Sequence, residues 1–182
     1  HHQPLDASHQ QGDHQGVDDR AQQQVARAGS ERDRAQQGPN QGIARASQHQ
    51  QQGDLGEPGA ARKIFNEALS HVKNLDALVN CASIFPQDSV LDFSFEQLSE
   101  NVRVNAFAPL ELCRHFAKHC GAGSIVNFLD SRVVGPDRTH AAYHLSKRLF
   151  DAMTKMLAKE LAPKIRVNAV APGFILPPEG AG

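Results

Sequence analysis

The chain has 182 residues, of which 21% are charged, and a formal net charge of -1. That length supports one domain with a core of its own, and the near-neutral balance gives no electrostatic reason to expect nucleic acid or an anionic membrane surface as a partner. No run of about 18 apolar residues occurs, so no span of a bilayer is expected, and the opening HHQPLDASHQ lacks the basic-then-apolar layout of a secretory signal.

Two textures meet near Gly53. Residues 1–52 hold fourteen Gln and five His, no Phe, Tyr or Trp, and only Leu5, Val17, Val25 and Ile43 among large aliphatics. Such a segment buries too little apolar surface to offset chain entropy, which predicts disorder. The abruptness of the change admits a second reading, an out-of-frame translation of an ordered start. His1 and His2 resemble a tag remnant and are set aside, and the irregular His spacing in this segment predicts no metal site. From 53 to 182 the chain reads as an α/β domain.

In chain order, Pro58 suits an early helical position, and Ala61, Phe65, Ala68, Leu69 and Val72 recur at helical spacing up to Lys73. Leu75–Asn80 (LDALVN) is a short apolar run of the kind found in buried parallel strands. Ser94 and Gln97 have capping-box spacing, predicting a long helix from there to about Lys118. Ser124–Leu129 (SIVNFL) reads as the next strand. A helix over roughly Ala141–Leu161, stopped by Pro163, leads to a third strand, Ile165–Val170 (IRVNAV). This alternation predicts a Rossmann-like parallel sheet with flanking helices. Cys81, Cys113 and Cys120 are odd in number and lack metal-ligand spacing, which fits reduced thiols and a cytoplasmic location.

Ligands of parallel sheets sit beyond the carboxyl ends of the strands. Those ends carry Asn80-Cys81-Ala82-Ser83, Asp130-Ser131 and Pro172-Gly173. Tyr143 and Lys147 lie one helical turn apart on the predicted helix, hence on one face. A nearby ammonium favours a phenolate, bringing tyrosine down from about 10 towards working pH and making it a usable proton donor to a carbonyl or imine. Alone, such a pair is most often a surface contact.

Its surroundings give it weight. Residues 123–147, GSIVNFLDSRVVGPDRTHAAYHLSK, resemble the strand, loop and catalytic helix of short-chain dehydrogenases/reductases. LDALVNCAS is similar to that family's strand ending in Asn-Asn-Ala-Gly, VRVNAFAP to the helix with its fourth catalytic residue, and IRVNAVAPGFI to the strand and Pro-Gly loop beside the nicotinamide. Asp54 stands 26 residues before Asn80, as does an adenine-contacting Asp in the family. The resemblance implies an oxidoreductase using NADPH or NADH, with Asn105, Asp130, Tyr143 and Lys147 as catalytic residues. It places Asp54, Asn80, Ala82, Ser83, Tyr143, Lys147, Pro172 and Gly173 at the cofactor. It also implies a homotetramer through the helices at about 94–118 and 141–161, with Leu110, Phe116, Leu149 and Met153 exposed at the contact.

The subfamily most resembled is that of the pteridine reductases. Asp130 stands thirteen positions before Tyr143, where most members have Ser and pteridine reductases have Asp. Ser83 and Phe85 in NCASIF match the Ser and the pterin-stacking aromatic of those enzymes, and GFILPPEG resembles the ending of their bacterial relatives. A pterin or similar carbonyl or imine compound is the implied substrate, held at Ser83, Phe85 and Asp130. Blander roles stay open at this stage. Asp130 could cap a turn while Ser131 takes the catalytic place, Phe85 could be core, and Asn105 could only satisfy a kinked helix. Asn80 could act through its backbone alone, and Cys81 could be a small buried filler.

The family's Thr-Gly-x-x-x-Gly-x-Gly turn, whose amides hold the cofactor pyrophosphate, has no counterpart in residues 1–52. Gly38-Pro-Asn-Gln-Gly42 has a similar outline but no apolar strand before it. Ile175 and Pro177 replace hydroxyl residues that often meet the cofactor. Weak NADPH binding by these 182 residues is therefore expected, and so is poor solubility from an open sheet edge at Leu75–Asn80. The alternative to an enzyme is a non-catalytic fragment of one, without cofactor binding.

Overall fold

The computed structural model describes residues 53–135 and 138–173. Residues 1–52, the Gly38–Gly42 string, Ile175 and Pro177 lie outside the described residues.

The first helix, α1, runs Ala60–His71. It begins after Pro58 rather than at it, because Gly59 takes a left-handed conformation (φ 78°) that redirects the chain into the helix. Ala61, Ile64 and Phe65 form its buried stripe. Three parallel strands follow in the order β1 (Ala77–Asn80), β2 (Gly123–Phe128), β3 (Ile165–Val170). The register aligns Leu78, Ile125 and Val167 in one row and Asn80, Asn127 and Ala169 in another. The first row enters the core with Phe65, Leu112, Phe116 and Leu157. Gly123 opens β2 at φ 151°, where an added Cβ would come within 2.7 Å of the Asp76 carbonyl oxygen. Only glycine lets β2 start this close to β1.

Beside this row runs a polar lane. The Asn80 amide donates to Asn127 Oδ1 at 2.9 Å, Asn127 donates to Thr154 Oγ1 at 3.0 Å, and Thr154 donates to the Phe150 carbonyl at 2.7 Å. The Cys113 thiol borders the lane, and burial pushes it up to about 12, so it is no nucleophile. Together these bonds tie the sheet to the long helix α4 (Ala141–Leu161).

The predicted capping box forms: Ser94 Oγ accepts from Gln97 N at 3.2 Å and Gln97 Oε1 accepts from Ser94 N at 2.7 Å. The helix it starts is not one smooth α-helix. It comprises α2 (Phe95–Val102), a wider π-helical turn (Arg103–Phe107) and α3 (Ala108–Cys120). The expected subunit face needs one correction. Leu110 and Phe116 belong to the chain's own core, at 8% and 0% exposure, and Met153 packs against that core. Leu149 is exposed as expected, joined by Phe95, Phe107 and Met156. No helix among the described residues is long and apolar enough to cross a membrane.

Candidate active site

The carboxyl ends of β2 and β3 are stitched beyond the sheet. Leu129 N donates to the Val170 carbonyl at 2.8 Å and Ser131 N to that of Pro172 at 3.1 Å. The stitching places Pro172 and Gly173 beside Asp130 and Ser131; a Cβ on Gly173 would lie 3.9 Å from Ser131 Oγ. The Asp130 backbone begins a short 3-10 turn, its carbonyl accepting from Val133 N at 3.1 Å. Its side chain does something else: Oδ2 accepts a 2.8 Å hydrogen bond from the Tyr143 hydroxyl. Ser131, the alternative occupant of this place, is exposed.

Tyr143 and Lys147 are both buried on α4, at 6% and 3% exposure. Lys147 Nζ donates to the Phe128 carbonyl at 3.0 Å and stands 5.7 Å from the Tyr143 ring centroid. Burial holds Lys147 down at about 8 against an ordinary 10.5, with Asp130 and Cys81 pulling the other way. An ammonium has three N–H groups and one is committed to Phe128, so donors remain for a ligand beyond the strand ends. Cys81 is an exposed thiol here, not the buried filler expected.

The wall opposite is built by Asn105 from the middle of the π-helical turn. Its Oδ1 accepts from Ile84 N at 2.8 Å and from Ser83 Oγ at 3.1 Å. Its Nδ2 donates to the Ile84 carbonyl at 3.0 Å and to Ser146 Oγ at 3.0 Å. Asn105 thus works as a splint, holding the loop after β1 against α4. The splinted loop carries Phe85, whose ring packs edge-on to Tyr143 with centroids 4.5 Å apart. Phe85 is 45% exposed, so it is not ordinary core.

The structure therefore gathers Ser83, Phe85, Asn105, Asp130, Tyr143 and Lys147. Two other expected positions are used differently. The Asn80 side chain, 3% exposed, lies in the interior lane, leaving only backbone for a ligand, and Ala82 sits half-buried just beyond it. Asp54 turns back on its own loop, its carboxylate accepting from Gly56 N at 2.7 Å. Sequence reasoning missed Asp88, His140 and Ser146. Ser146 relays Asn105 to the Tyr143 carbonyl, to which it donates at 2.7 Å. Asp88 gives α4 its cap, with Oδ1 accepting from Ala142 N at 3.1 Å. One signal was present: α4 starts after His140 with no Ser, Thr, Asp or Asn there to cap it, which asks for a cap from elsewhere.

The family model described as enoyl-(acyl carrier protein) reductase, a short-chain dehydrogenase type, matches residues 20–182. The chain belongs to the short-chain dehydrogenase/reductase family. Among curated relatives it is 36% identical over 129 residues to the uncharacterized oxidoreductase YhdF of Bacillus subtilis, covering 69% of this chain and 45% of that protein. It is 29% identical over 131 residues to dihydromonapterin reductase of an Enterobacter species, covering 69% and 54%. A solved structure, FolM alternative dihydrofolate reductase 1 from Brucella canis complexed with NADP, superposes with a TM-score of 0.65. That match has 34% identity and covers 71% of this chain and 53% of the other. The chain spans about half the length of the curated relatives it matches.

Proposed function

We propose that this chain carries the catalytic portion of a cytoplasmic, NADPH-dependent reductase acting on pterins or similar conjugated carbonyl and imine compounds. The observation that carries the reading is the 2.8 Å bond between the Tyr143 hydroxyl and the Asp130 carboxylate, set beside half-exposed Phe85. The likeness to a FolM reductase solved with NADP and to a dihydromonapterin reductase supports it.

NADPH, when bound, supplies the hydride. The donors present suit its nicotinamide-ribose end: the Lys147 ammonium, the Tyr143 hydroxyl, the backbone around Ala82–Ser83 and the Pro172–Gly173 loop. Tyr143 gives its hydroxyl proton to the substrate nitrogen or oxygen, and Lys147 stabilises the phenolate left behind. Asp130 accepts from the Tyr143 hydroxyl in the free site and, turned to the ligand, accepts instead from an amino-pyrimidine edge, which orients the ring and frees the Tyr143 proton for the substrate. Phe85 offers a surface for a flat heterocycle.

Asp130→Ser tests this directly. A carboxylate hydrogen bond to a bound amino-pyrimidine is worth about 1.5–3 kcal/mol, so kcat/KM for a pterin should fall roughly tenfold or more relative to a simple ketone. Equal losses on both substrates would sink the pterin assignment.

We also propose that the whole protein is a homotetramer packed through α2 and α4. Phe95, Leu98 and Val102 of α2 and Phe107 of the wide turn line an apolar groove, and Leu149 is exposed on α4. Apolar area of this kind favours a subunit contact. Light scattering should report an oligomer at micromolar concentration; a persistent monomer would exclude the contact.

A further inference from the structure

His140 occupies the last position before α4, and its backbone is clamped from a distant loop. Asp88 N donates to the Thr139 carbonyl at 2.9 Å, Asp88 and His140 form an isolated parallel bridge, and Asp88 caps the helix through Ala142 N. The His140 carbonyl accepts from His144 N at 3.0 Å as the helix begins. Its side chain is constrained as well. Nδ1 lies 2.9 Å from Thr139 Oγ1, and the ring is 9% exposed.

This fixed imidazole lies flat on Phe85, with centroids 3.8 Å apart and planes 13° from parallel. Phe85 in turn meets Tyr143 at 82°. Asn105 holds the Phe85 loop by its backbone at Ile84, but nothing in that contact fixes the rotation of the ring. The stacking partner supplies the missing constraint. Aromatic contacts of this sort shift a conformational equilibrium by roughly two- to tenfold.

We infer that His140 is a positioning residue, which sets the plane of Phe85 against Tyr143 and so fits the site to flat, conjugated heterocycles over compact carbonyl compounds. The substrate half of this inference rests on the function proposed above; the positioning half does not.

The chain has one tyrosine and no tryptophan, so its near-ultraviolet tyrosine dichroism reports Tyr143 alone. Three variants separate stacking from hydrogen bonding. His140→Phe keeps the stack and loses the Thr139 bond, His140→Asn keeps a polar partner and loses the stack, and His140→Ala loses both. The tyrosine band should shrink in the Ala and Asn variants and persist in the Phe variant, with far-ultraviolet spectra unchanged. Affinity for free pterin, followed by its fluorescence, should fall roughly three- to tenfold in Ala and Asn and recover in Phe. An unchanged band in His140→Ala, or rescue by Asn and not by Phe, would overturn the positioning role. If the unaltered chain binds no pterin, the substrate half fails, and the dichroism of the same three variants still decides the positioning half.

Discussion

In the full-length protein, on the function proposed above, replacing Tyr143 with Phe should lower reductase turnover roughly a hundredfold or more while leaving the fold standing. The ring is buried, and Phe keeps its edge-on contact with Phe85. What disappears is one hydroxyl, the group that donates to Asp130 Oδ2. Because the hydroxyl bonds to a carboxylate that is itself only half-buried, its loss should cost about 1 kcal/mol of stability or less. Steady-state nicotinamide absorbance and a urea titration on the same preparation separate the two effects. A variant that keeps most of its turnover would remove Tyr143 as proton donor.

Asn105→Ala should be the most damaging substitution in the site for stability. The side chain is 1% exposed and serves Ser83, both backbone groups of Ile84, Asn101 and Ser146. Alanine would leave the Ile84 amide and carbonyl seeking partners in a half-buried place, at about 1–3 kcal/mol each. A loss of about 3 kcal/mol or more is expected in urea unfolding, together with a mobile Phe85 loop. A change below about 1 kcal/mol would mean that the loop is held by its other contacts.

Much of the fold was legible because its signals are local. The runs LDALVN, SIVNFL and IRVNAV carry the three strands, each within about two residues of its final bounds, and Pro163 stops α4 close behind Leu161. The Ser94–Gln97 box starts its helix where the spacing placed it. Tyr143, Lys147 and Asp130 were legible through the resemblance of residues 123–147 to the family's strand, loop and catalytic helix; the one-turn spacing of Tyr143 and Lys147 alone would not have singled them out. The remaining contacts were not local. Asp88 reaches Ala142 across 54 positions, and the stack of His140 on Phe85 joins two loops whose approach only the finished sheet determines. Leu110 and Phe116, expected on the surface, lie instead in the chain's own core, on a stretch expected to run from Ser94 as one continuous helix.

It does not, and the wide turn at Arg103–Phe107 has a consequence for how this stretch tolerates change. An α-helix advances each side chain by about 100° around its axis, and a π-type turn takes up one residue beyond that rhythm. The apolar stripes of α2 and α3 are therefore out of phase by one residue, like two threads cut on one screw with a skipped pitch. Deleting a single residue from the wide turn would restore an even thread. It would also swing the downstream side chains by roughly 100°, carrying Leu112 and Phe116 out of the interior. Length is encoded between Ser94 and Pro109 alongside identity: a substitution there is felt locally, whereas an insertion or deletion is felt along the whole of α3.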